Sequence, residues 1–60
     1  MAIYRAFLVD QFGGLAPPEL VLADDDNDAI ARATALLKSS QYYVACEVWQ
    51  EARMVRRIMR

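Results

Sequence analysis

Asp24-Asp25-Asp26-Asn27-Asp28-Ala29-Ile30-Ala31-Arg32-Ala33-Thr34-Ala35-Leu36-Leu37-Lys38 reads as an amphipathic helix that carries its own start signal. An Asp near position 25 accepts a hydrogen bond from a free N–H of the first turn, and further carboxylates there favour the positive end of the helix dipole. Ala29, Ile30, Ala33, Leu36 and Leu37 recur at i, i+1, i+4, i+7 and i+8 and form one apolar stripe, opposite Asn27, Arg32, Ala35 and Lys38. Two alanines in that stripe let the helix lie close to a sheet. Ser39-Ser40-Gln41 then ends it with residues that prefer turns.

Working outward, both flanks read as β-hairpins. Ile3 to Val9 is short and rich in β-branched, aromatic and aliphatic residues, as a strand requires. One of its rows carries Tyr4, Ala6 and Leu8. The other carries Ile3, Arg5, Phe7 and Val9, so both faces are largely apolar, as in a central strand covered on two sides. Gly13-Gly14 supplies the positive-φ freedom of a reversal. Pro17-Pro18 cannot donate ladder hydrogen bonds, which makes the returning segment, Glu19 to Ala23, an edge strand with short or irregular pairing.

On the other flank, Tyr42 to Trp49 alternates Tyr42, Val44, Cys46 and Val48 with Tyr43, Ala45, Glu47 and Trp49. Arg53 to Ile58 is a further strand. A two-residue turn at Glu51-Ala52 would set Trp49 opposite Met54, Val48 opposite Val55 and Glu47 opposite Arg56. The absence of Gly there leaves a longer loop equally open. With a right-handed crossover, the expectation is a single α+β domain over residues 1–60. Its architecture is ββαββ: a four-stranded antiparallel sheet, order 2-1-3-4, with one helix packed on one face. Which face of the first strand meets that helix is left open.

The chain has 60 residues and is 57% hydrophobic, against about 45–50% in ordinary domains, more than one sheet with one covering helix hides easily. So short a chain buries only about 60% of its unfolded surface. The excess points to a protein–protein contact. The net charge of −1 creates no global field for nucleic acid or anionic lipid. Locally, Asp24, Asp25, Asp26 and Asp28 form an acidic knot, and Arg53, Arg56, Arg57 and Arg60 make the C-terminus basic. The lone Cys46 forms no internal disulfide, which fits a reducing cytoplasm. No stretch approaches the roughly 20 apolar residues that span a bilayer, so the chain reads as soluble, without a membrane partner.

Tyr4-Arg5-Ala6-Phe7, Ala23-Asp24-Asp25-Asp26 leading into Ala29-Ile30, and Glu47-Val48-Trp49 followed by Arg53 and Val55 together resemble a group of short, uncharacterised bacterial proteins, found mainly in α-proteobacteria. The resemblance covers nearly the whole length. Here Gly13-Gly14 replaces the group's Asp-Gly turn, the Pro pair is atypical, and the last hairpin lacks the group's Gly or Asp-rich turn. The resemblance implies a shared fold and no activity.

The chemistry-bearing motifs fail on inspection. Asp24, Asp26 and Asp28 match the first half of a calcium loop, but Ala29 and Ala35 stand where the Gly and the bidentate Glu are needed, so the cluster reads as a helix cap. With no His in the chain, neither Cys46 nor Ser39 and Ser40 has a partner base, and Cys46 reads as a buried structural thiol. Lys38 beside those serines lacks the rigid geometry of catalysis. Gly13-Gly14 has no nucleotide fingerprint around it. The expectation is no enzyme and no catalytic, cofactor or metal site.

What remains is the sheet face away from the helix, expected to display Phe7, Val9, Trp49 and Met54 with Arg5, Glu47 and Arg56 around them. Aromatic, Met and Arg residues are enriched in protein interfaces. Read this way, the chain is a cytoplasmic, non-enzymatic module that self-associates as a homodimer, with another protein partner as an option. Sheet aromatics flanked by Arg also stack on single-stranded bases, so a weak nucleic-acid binder using Arg5, Phe7, Trp49, Arg56 and the C-terminal arginines is the alternative. Balanced charge and the intervening Glu47 disfavour nucleic acid.

Overall fold

The computed structural model describes residues 1–60. The chain runs β1 (Ala2–Asp10), β2 (Glu19–Ala23), α1 (Asp26–Lys38), β3 (Tyr43–Gln50) and β4 (Arg53–Met59). The strands form one sheet in the order β2-β1-β3-β4, and every neighbouring pair is antiparallel. This is the expected ββαββ architecture, with α1 on one side of the sheet.

The helix begins as its carboxylates direct. Asp25 is the N-cap, and its side chain accepts from the Asp28 N–H at 2.8 Å. Asp28 in turn accepts from the Asp24 N–H at 3.0 Å. At the other end Ser39 is the C-cap, its hydroxyl donating to the Leu36 carbonyl. Arg60 reaches back from the C-terminus and donates to the carbonyls of Leu37, Ser40 and Tyr43. Carbonyls at a helix end have no partner within the helix, so this guanidinium satisfies groups that the serines alone do not.

The face that meets the helix is the Tyr4, Ala6, Leu8 row. These residues join Val21, Ala23, Ala29, Ala33, Leu37, Cys46 and Val48 in one buried cluster. Ala29 and Ala33 are fully buried and bring the helix backbone down onto the sheet. The core is therefore thin, and its largest fully buried side chains are only Leu37, Val48 and Cys46.

Both hairpins depart from simple pairing. In the first, Asp10 organises the turn: its Oδ1 accepts from the N–H groups of Phe12 and Gly14 at 2.8 and 2.9 Å. Gly13 has a φ of +84°, which strains any side chain placed there, and a Cβ on Gly14 would lie 2.8 Å from Asp10 Oδ2, so a side chain at Gly14 has to displace the carboxylate that organises the turn. Ala6 pairs with Glu19, whereas Val9 bridges to Leu15. The two pairings are offset by one residue, and Pro17-Pro18 lie in the offset.

In the second hairpin, Gln50 pairs with Arg53 around the two-residue turn Glu51-Ala52. Trp49 pairs with Met54 as expected, but a register shift follows, and the next pairs are Val48 with Arg56 and Glu47 with Arg57. The expected pairs Val48–Val55 and Glu47–Arg56 are thereby corrected. A bulge places one extra residue on β4, and Val55 packs against the core.

Candidate protein interface

The open face of the sheet is a continuous row system. Register assigns it Leu20 and Leu22 on β2, Ile3, Arg5, Phe7 and Val9 on β1, Ala45, Glu47 and Trp49 on β3, and Met54, Arg57 and Met59 on β4. Leu20, Met59, Ile3, Leu22 and Met54 are exposed, and Phe7 and Trp49 are half-buried among them. The molecule's accessible surface is 3978 Å², close to the roughly 3,950 Å² that a folded monomer of this mass exposes. The chain is thus no looser than other folded monomers. Its apolar exposure is a matter of placement on one side.

Of the residues expected on this face, Arg5, Phe7, Glu47, Trp49 and Met54 are brought together. Val9 lies on the same row but is only 5% exposed, because the returning loop lays Leu15 beside it, and it offers almost no surface. Arg56 is displaced: paired with fully buried Val48, it belongs to the row on the helix side. The register shift puts Arg57 in its place. Arg57 donates to Glu47 Oε2 at 2.5 Å, and the Trp49 indole N–H donates to Glu47 Oε1 at 3.1 Å. Glu47 therefore fixes both the arginine and the indole in the middle of the face.

Beside this cluster lies a cleft of about 290 Å³ lined by Arg5, Phe7, Leu15, Glu47, Trp49 and Glu51. Sequence reasoning missed Ile3, Leu15, Leu20, Leu22, Glu51 and Met59 as site residues, and Arg57 as the partner of Glu47. The two leucines had a visible signal, because Glu19-Leu20-Val21-Leu22-Ala23 is apolar on both rows. Leu15 and Arg57 had none, since a loop path and a bulge decide their positions.

At the same end of the sheet, on the helix side, Asp26 gathers Tyr4 and Arg53. The Tyr4 hydroxyl donates at 2.8 Å, and Arg53 donates through two nitrogens at 3.0 Å each. The Arg53 guanidinium, and after it the Tyr4 hydroxyl, hold the Asp26 carboxyl below the usual carboxylate range. The Asp26 carboxylate in turn raises the Tyr4 phenol. The Asp24 N–H, and then Arg32, likewise lower Asp28. Every acidic group used here serves the helix start. Burial pushes the Cys46 thiol up to about 11, with Glu19 and Glu47 adding to the effect. No three His, Cys, Asp or Glu side chains converge as a metal site would need.

Fold and face together define a small α+β protein with one bare sheet surface. No helix in it is long and apolar enough to cross a membrane. No protein-family model, curated protein or solved structure matches the chain.

Proposed function

We propose that this chain is a non-enzymatic self-association module whose open sheet face is covered by a second copy of itself. The observation that carries the reading is the gathering of Ile3, Leu20, Leu22, Met54 and Met59 on one side, around half-buried Phe7 and Trp49. Large apolar side chains gathered on one face mark an interaction site, whereas the same residues scattered singly need no explanation.

Two further features favour a second copy. The broad side of the molecule measures 32 by 21 Å, which with its side chains approaches the roughly 800 Å² per partner of a stable interface. The face also carries charge of both signs, Arg5 and Arg57 against Glu47, so it complements itself about a twofold axis. Two such faces would pack as aligned sheets about 10 Å apart, with Phe7 and Trp49 at the centre.

The nucleic-acid alternative is less well supported. Of the basic residues it requires, Arg53 is engaged with Asp26, Arg57 with Glu47 and Arg60 with helix-end carbonyls. Arg5 and Arg56 remain, on opposite sides of the sheet. A cytoplasmic location and membership of the α-proteobacterial group complete the proposal, the former supported by a lone, buried, unpaired cysteine.

Sedimentation velocity over a range of concentrations, on the wild type and on Trp49→Glu, tests the reading. The wild type is expected to sediment as a dimer and the variant as a folded monomer. A wild type that stays monomeric at high micromolar concentration, indistinguishable from the variant, overturns it.

A further inference from the structure

We propose that Arg5 and Glu51 form reciprocal ion pairs between two copies of this chain, Arg5 of each copy meeting Glu51 of the other. The inference rests on the reading that a second copy covers the open face, and it names the contacts that orient that copy. Three ion pairs lie within the chain: Arg32 with Asp28, Arg53 with Asp26, and Arg57 with Glu47. Arg5 and Glu51 enter none of them and make no side-chain hydrogen bond. Both are nonetheless exposed and line the same cleft, with the Trp49 indole and the Phe7 ring between its walls.

The position of Glu51 sharpens the point. It occupies the first central position of the β3–β4 turn with a φ of +54°, where hairpin turns of that handedness prefer Gly. With no ion pair or hydrogen bond inside its own molecule, the Glu51 carboxylate is free to make one outside it. An isologous contact pairs residue i with j and j with i. A face with one unpaired cation and one unpaired anion therefore completes two ion pairs at once, and Trp49 offers each incoming guanidinium an aromatic surface to lie against.

Charge reversal separates this pairing from dimerisation itself. Arg5→Glu and Glu51→Arg are purified separately, checked for wild-type circular dichroism, and run by sedimentation velocity alone and as an equimolar mixture. Each variant alone places like charges in both pairs and is expected to dissociate at least tenfold more readily than wild type. The mixture restores two opposite-charge pairs and is expected to return to a dimer of wild-type affinity. Variants that dimerise like wild type, or a mixture no stronger than its components, overturn the pairing while leaving the dimer intact. A monomeric wild type overturns both.

Discussion

The Tyr4 hydroxyl and the Asp26 carboxylate, 22 residues apart in the chain, meet at 2.8 Å and fasten the central strand to the first turn of the helix. Arg53 joins them from β4, so one carboxylate holds three elements at the same end of the sheet.

Acid should loosen the molecule through Asp26 and Asp28. Both carboxyls titrate lower in the folded chain than in the unfolded one, where Asp ionises near about pH 3.9. The unfolded state thus binds more protons in this range, and stability falls as pH falls. Their contribution is fully present above about pH 5 and disappears as pH drops through the folded values. Thermal melts between pH 2 and pH 7 should show a plateau with an acid limb, and Asp26→Asn should flatten that limb.

Alkali acts with the opposite sign on Tyr4. Its phenol ionises higher in the folded chain than in the unfolded one, so its contribution is present below about pH 10 and is lost as pH rises through the folded value. Difference absorbance of the phenolate should resolve a late step, and Tyr4→Phe should remove it.

Cys46 should be chemically silent. It is fully buried, and its thiol is pushed up to about 11, so the reactive thiolate is scarce at pH 8. Labelling by a disulfide reagent at pH 8 should track unfolding in urea instead of reagent concentration. Immediate stoichiometric labelling of the native protein would contradict this.

The alanines under the helix should resist enlargement. Ala33 has no exposed surface and lies between α1 and the sheet. Ala33→Leu should lower the urea midpoint, with a loss on the order of 1–3 kcal/mol from overpacking. The exposed Ala35 should accept the same change within about 0.5 kcal/mol.

Glu51 should be a site where Gly improves the monomer. Relief of its left-handed backbone is worth about 1 kcal/mol, or a melting rise of roughly 4–8 °C in a domain this small. The comparison belongs in a Trp49→Glu background, where a partner's Arg5 makes no contribution. An unchanged or lower melting temperature there would refute the strain.

Much of this fold could be read ahead of the structure because its signals are local. The Asp25 cap, the alanine-leucine stripe, Gly13-Gly14 and the alternation of Tyr42 to Trp49 each state their own element. Pro17-Pro18 pushed β2 to an edge, from which the strand order followed. What escaped depends on register. One extra residue near Val55 exchanged Arg57 for Arg56 opposite Glu47, and alternation alone does not reveal where a strand bulges. The covering of Val9 by Leu15 likewise depends on the path of a loop, which hydrophobic periodicity does not encode. The face itself was legible as Arg5, Phe7, Glu47, Trp49 and Met54, and its extension onto Leu20 and Leu22 follows once β2 is paired in register with β1.

The seam between β1 and β3 joins Arg5 to Trp49 and Leu8 to Cys46, and no other strand pairing links the two halves of the chain. A break between Ser39 and Tyr42 would leave a β1-β2-α1 piece and a β3-β4 piece, each with its own hairpin and neither with a closed core. Order would return only when the pieces find each other. Cys46, buried where the two pieces join, would report that meeting by its protection from thiol labelling.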